Sequence, residues 1–197
     1  MGFSVRLRFF WSSQFIFWSA RLPCTPTRLK LFFLLMSKHP FTQQNYTLNS
    51  CNLRKLTPDD ALIVSQSLVK IEPWRTLGYS ADTLSNYLLR SDDLLYRYAL
   101  VESEKIVGVL CVRYPWLRGA CLELLAIFPS QQGKGSGREV ISWLEAELRE
   151  NNNLWTLVSS FNLDARHFYE KVGFIEVGQF DDFIMAGYAE LLLRKVL

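Results

Sequence analysis

From residue 52 onwards the chain alternates between two hydrophobic rhythms, one of period two that predicts strands and one of period 3.6 that predicts helices. Residues 52–56 read as a first strand. Thr57 then stands as an N-cap with Pro58 at the first helical position, opening a helix whose apolar positions are Ala61, Leu62, Val64, Leu68 and Val69. Residues 72–79 read as a loop, and a second helix is expected over 81–89. Residues 96–102 and 105–114 predict a hairpin around a Ser103-Glu104 turn, and Leu117-Arg118-Gly119 turns the chain into a strand over 121–128. After three alternating glycines, Val140, Ile141, Leu144 and Leu148 form one stripe of a helix over 138–150. A strand at 154–160, a short helix with Ala165, Phe168, Tyr169 and Val172 at helical spacing, and strands near 174–179 and 190–195 complete the pattern. Strands, hairpins and helices mixed in this order imply an α/β, mixed α+β, domain with one core.

Composition changes little in that picture. With 49% hydrophobic and 21% charged residues, the chain is globular in type. The net charge of +3 is uneven: without the five basic residues before Met36 (Arg6, Arg8, Arg21, Arg28, Lys30) it becomes −2, so no nucleic-acid partner is implied. Residues 1–35 are aromatic, basic and free of acids. They fit no element of the domain and read as a loosely attached extension, from an over-long start or a targeting segment, ahead of a single domain over 36–197. Their apolar runs are too short for a membrane span. Cys24, Cys51, Cys111 and Cys121 show no ligand spacing, which favours a reducing compartment and a cytoplasmic protein, and the two histidines offer no metal site.

The chemistry concentrates in two places. Gly133, Gly135 and Gly137 follow a buried strand and lie at a helix N-terminus, where unpaired N–H groups and the helix dipole favour an anion. Lys134 is followed by Gly135, so the P-loop pattern fails, and the G-x-G-x-G spacing excludes the dinucleotide fingerprint. A plain glycine-rich surface turn is the other reading. The second place is the helix after Asn162, a plausible N-cap; from periodicity alone it is a short amphipathic helix with Tyr169 in the core.

Gln132-x-x-Gly135-x-Gly137, preceded by LELLAIFP, resembles the acetyl-coenzyme A site of GNAT-superfamily N-acetyltransferases. N-x-x-A-x-x-F-Y-x-x-x-G-F from Asn162 to Phe174 is similar to the second cofactor motif of that family. The resemblance implies a central, mostly antiparallel sheet with a splayed parallel strand pair and flanking helices. It implies acetyl-coenzyme A held by Leu125, Ala126, Ile127, Gln132, Gly133, Lys134, Gly135, Ser136, Gly137 and Asn162. It implies direct attack of an amine on the acetyl carbonyl, met by backbone N–H groups at Leu125 to Ile127, and Tyr169 near the sulfur. Glu123 is the candidate base: alternation places it with Cys121, Leu125 and Ile127, an apolar setting that would raise its pKa. Trp74, Tyr79 and the pair Asp181-Asp182, chiefly Asp182, are candidates for the acceptor site and equally for core aromatics and solvated acids. The acceptor is an amine of a small molecule or a protein, and assembly as a homodimer is open. A non-catalytic acyl-coenzyme A sensor, or a protein anchored at a membrane surface by its basic N-terminus, are the competing classes.

Overall fold

The structure, a computed structural model, describes residues 39–197. The expected extension over 1–35 and the Met36 boundary lie outside the described residues.

Within the described residues one eight-stranded sheet is flanked by four helices. In chain order the elements are β1 (Asn45–Thr47), β2 (Asn52–Lys55), α1 (Pro58–Leu68), α2 (Ala81–Leu89), β3 (Leu95–Glu102), β4 (Lys105–Trp116) and β5 (Gly119–Ile127). They continue through α3 (Ser136–Glu147), β6 (Asn153–Ser159), α4 (Leu163–Lys171), β7 (Ile175–Asp181) and β8 (Ala189–Val196). The sheet order is β1-β2-β3-β4-β5-β6-β8-β7. Among these strands only β5 and β6 pair in parallel; every other neighbouring pair is antiparallel. Strand β1 is an addition to the expected order.

Local chemistry accounts for the element ends. Thr57 Oγ1 accepts from the Asp60 N–H at 3.2 Å, and the Asp60 carboxylate accepts from the Thr57 N–H at 2.8 Å. This reciprocal cap starts α1. Ala61, Val64 and Leu68 are buried as expected, while Leu62 is exposed, because one residue step turns a helix 100° away from that face. The β3–β4 turn places Ser103 and Glu104 at φ 46° and 63°, the twist that a two-residue hairpin requires. Helix α3 begins at Ser136, two residues before the expected start.

Two cores sandwich the sheet. On one face α1 and α2 bury Ala61, Val64, Leu68, Leu84 and Leu88 against Val109, Cys111, Leu124 and Ala126. On the other, α3 and α4 bury Val140, Ile141, Leu144, Leu148, Tyr169 and Val172 against Leu110, Leu122, Leu154 and Val158. The expected α3 stripe is thus the observed one. Cys51, Cys111 and Cys121 are free thiols, and burial pushes the latter two up to about 12, so they act as small core residues. Among the described residues no helix is long and apolar enough to cross a membrane, and no cluster of potential metal ligands occurs.

Candidate active site

Strands β5 and β6 are laddered from Gly119↔Asn153 to Leu122↔Thr156, and there the pairing stops. The Thr156 hydroxyl closes that point by donating to the Leu122 carbonyl at 2.9 Å. Beyond it β5 continues to Ile127, paired with β4 alone, while β6 continues to Ser159, paired with β8. Among the described residues, the edge of β5 that faces β6 therefore carries no ladder partner from Glu123 to Ile127. This is the splayed pair expected from the sequence, with Leu125, Ala126 and Ile127 on one wall.

The glycine loop lies at the open end. Pro129–Gln131 make a single 3-10 turn, and the Gln132 amide donates to the Ile127 carbonyl at 2.8 Å, tying the loop back to the end of β5. Gly133 and Gly135 take φ of 77° and 92°, which side-chain-bearing residues rarely adopt. A Cβ on either would meet nothing within 4 Å, so the loop's outer surface is open. Gly135 is the N-cap of α3. Helices α1, α2 and α4 each begin with a side-chain cap, from Thr57, Ser80 and Asn162, whereas α3 has none. The first-turn N–H groups of α3, including those of Ser136 and Gly137, are left for a ligand, with the positive end of the helix dipole behind them and the exposed Lys134 beside them. A phosphate group fits this cradle.

Two members of the cradle have other work to do. Gly137 is helical and does not take a positive φ; a Cβ there would lie 3.2 Å from Phe168 Cζ, so the absent side chain makes room for α4. The buried Ser136 hydroxyl shares a hydrogen bond with the Ser50 hydroxyl at 3.0 Å. Ser50 also donates to Glu139 of α3, from its N–H at 2.9 Å and its hydroxyl at 2.8 Å, and these bonds hold the Glu139 carboxyl below its ordinary value.

Glu123 does not have the apolar setting expected of it. In the β4–β5 register Cys111 pairs with Leu124 and Val112 with Leu122, so Glu123 is an extra, bulged residue. The bulge breaks the alternation. Leu122, Leu125 and Ile127 pack on the α3–α4 face and Leu124 and Ala126 on the α1–α2 face. Glu123 points to the latter, where its carboxylate accepts from the Tyr87 hydroxyl of α2 at 2.8 Å and pairs with Arg113 of β4. Arg113 also bonds Asp92 at 3.0 Å. These partners escaped the sequence reading. The Leu117-Arg118 hairpin turn was the available signal, since it sets Arg113 opposite Cys121, two residues from the acid.

Tyr169 is buried on the inner side of α4, edge-to-face with Phe168 and Phe174, each 5.2 Å away. Burial pushes its phenol up to about 12, against a lowering contribution from the Thr156 hydroxyl beside it. Contact with Thr156 puts Tyr169 at the point where β5 and β6 part. Asn162 caps α4, its Oδ1 accepting from the Ala165 N–H at 3.3 Å. Trp74 and Tyr79 are half-buried and pack on the α1–α2 core. Asp182 is exposed, and its carboxylate accepts from the Gly187 N–H at 2.6 Å within the β7–β8 loop. The structure thus sets Leu125, Ala126 and Ile127 on the unladdered edge of β5, the glycine loop beyond the end of that strand, and Tyr169 beside Thr156.

Comparison with known proteins places this geometry. Similar folds include an acetyltransferase of Thermus thermophilus (TM-score 0.62, 23% identity, covering 77% of this chain and all of that one). They include the ribosomal-protein-S18-alanine N-acetyltransferase of Escherichia coli (0.58, 19%, covering 73% and 92%). An aminoglycoside 6'-N-acetyltransferase complexed with coenzyme A is also similar (0.59, 15%, covering 73% and 96%). No curated protein matches the chain. The model of the acetyltransferase (GNAT) family matches residues 60–174, more than half of the chain, and the chain belongs to that family.

Proposed function

We propose that the protein transfers the acetyl group of acetyl-coenzyme A to a primary amine, which attacks directly while both ligands are bound. The observation that carries this reading is the conjunction of the uncapped start of α3 with the unpaired edge of β5 at the same end of the cleft. The N–H groups from Gly133 to Gly137 hold the pyrophosphate of coenzyme A, and the Asn162 side chain contacts the pantetheine arm. The acetyl carbonyl faces the unpaired N–H groups of β5 between Leu125 and Ile127, which also face the charge that develops on it.

An amine acceptor arrives protonated at neutral pH, since a lysine has a pKa of about 10.4. Two protons must leave the nitrogen on the way to an amide, and Glu123 takes one of them, directly or through a water. Its ties to Arg113 and Tyr87 fix the carboxylate in place and leave its remaining lone pairs for the acceptor. Tyr169 serves the departing sulfur. With the phenol at about 12 and a free thiol at about 8.5, full transfer is uphill by roughly 5 kcal/mol, so Tyr169 stabilises the thiolate as a hydrogen-bond donor. The acceptor lies on the α1–α2 side of the cleft, towards Trp74, Tyr79 and the Asp181-Asp182 loop.

The test is a titration of acetyl-coenzyme A by calorimetry, followed by free-thiol release with n-butylamine, spermidine and a peptide beginning in alanine. Binding with amine-dependent thiol release is the expected result. Binding with no release from any amine would make the protein an acyl-coenzyme A sensor.

A further inference from the structure

A second acid lies on the same face of the sheet as Glu123 and has no role in the mechanism above. Glu190 of β8 is 4% exposed, and its carboxylate accepts from the Ser159 hydroxyl of β6, at 2.6 Å. Their neighbours Leu191, Leu193 and Val158 pack on the α3–α4 face, so alternation turns Glu190 and Ser159 to the opposite face, the one that holds Glu123. Ser159 lies three residues beyond Thr156, the last residue of β6 laddered to β5, or roughly 10 Å further along the gap. In the register set by Leu122↔Thr156, and with the extra residue at Glu123 taking no ladder step, that is the level of Ala126.

The charged groups on the surrounding elements are engaged elsewhere. Asp181 of β7 accepts from the Gln179 amide at 3.0 Å, and Asp182 from the Gly187 N–H at 2.6 Å. Arg166 of α4 donates to the Ser160 carbonyl at 3.1 Å, Arg194 of β8 to Asn153 at 2.7 Å, and Glu123 across the gap pairs with Arg113. Among the described residues no cationic group neutralises Glu190, and burial raises its pKa against the lowering effect of Ser159.

An ammonium sheds two protons on its way to an amide, one before attack and one as the N–C bond forms. Resting on the acetyltransferase reading, we infer that Ser159 and Glu190 form the proton acceptor for the first of these. The ammonium N–H proton passes to Ser159 Oγ as the Ser159 O–H proton passes to the Glu190 carboxylate, leaving a neutral amine. The amine nitrogen bonds the acetyl carbon, the C–S bond breaks, and the second proton goes to Glu123. The sulfur leaves as a thiolate held by Tyr169 and takes its proton from solvent.

Thiol release with the three amines above, followed from pH 5 to 9 for the wild type, Glu190→Gln and Ser159→Ala, tests this. The wild type should lose kcat on the acid side at a pH above the ordinary glutamate range of about 4.3. Glu190→Gln, which preserves the shape of the side chain, should lower kcat by roughly 10²–10⁴-fold, abolish that limb and leave acetyl-coenzyme A binding intact. Ser159→Ala should lower kcat and move the limb to higher pH, because the bond that lowers the Glu190 pKa is gone. The inference is overturned if Glu190→Gln keeps the wild-type limb, whether or not kcat falls. Should Glu190→Gln fail to fold, an unmoved limb in Ser159→Ala overturns it. Absence of thiol release by the wild type with every amine sinks the acetyltransferase reading itself, a result distinct from an active enzyme with an unchanged pH profile.

Discussion

The two ends of β5 meet different neighbours. From Gly119 to Leu122 the strand is laddered to β6 as well as β4, and from Glu123 to Ile127 to β4 alone. The first end is closed by Thr156 and buried under Ala120 and Leu122. The second has a bulge, a carboxylate and an unpaired edge. The difference teaches that the cleft is made by withholding hydrogen bonds along one edge of a strand whose other edge stays paired. The closed end fixes the angle at which the strands part; the open end presents donors that need no rearrangement to meet a ligand.

Substitutions at either end break this comparison in different ways. The largest effect is expected at the open end. Glu123→Gln should lower kcat by about 10²–10⁴-fold in thiol release while calorimetry shows unchanged acetyl-coenzyme A affinity. Unchanged turnover across the pH range would remove Glu123 from the chemistry. At the closed end, Gly119→Ala would place a Cβ 1.8 Å from the Asn153 carbonyl oxygen, a backbone atom that cannot step aside. The strands must separate, at a cost of about 1–3 kcal/mol read as a lower urea midpoint. An unaltered midpoint would show that the ladder there is slack.

Tyr169→Phe stands at the junction of the two ends. Loss of a hydrogen bond to a thiolate should reduce kcat roughly tenfold to a hundredfold, with stability little changed because both rings fill the same space. A change below twofold would leave Tyr169 as packing. The smallest effect concerns the anchor of the open end. The Glu139 carboxyl is held low, so its contribution to stability is present above the unfolded pKa of about 4.3 and is lost as pH falls through the lower folded value. Glu139→Gln should therefore be less stable than wild type at pH 7 and equal to it near pH 2. A gap that persists at low pH would trace the loss to packing instead.

Elements that carry a local mark were far more legible in the sequence than the bulged edge of β5. Thr57-Pro58, the Ser103-Glu104 turn and the α3 stripe each carry a local mark, and the helices and hairpins fall where those marks place them. The glycine loop is legible for the same reason, since positive φ leaves its trace in residue type. Strand β1 leaves little trace: among its three residues only Tyr46 is buried. A bulge in this strand follows from the family resemblance, but its position at Glu123 was hidden because it is a mismatch of count between two strands and needs no glycine. Hence the face assigned to Glu123, and the apolar setting inferred from that face, were both wrong, and Arg113 and Tyr87 went unforeseen. Glu190 was read only as the start of a strand, because its burial depends on β6 reaching it across 31 residues of chain.

The contact between Gly137 and Phe168 sets a length. Helix α3 carries the cradle at its start and α4 carries Asn162 and Tyr169, and their approach is fixed by one ring resting where a side chain is missing. Under the proposed reading the distance between the phosphate grip and the sulfur grip is decided when the chain folds, before any ligand arrives. The cost of ordering the two grips relative to each other is then met in folding and not in binding. Such a site acts as a ruler. A thioester short of the pyrophosphate reaches one mark only, and a methyl group at position 137 would move the marks apart.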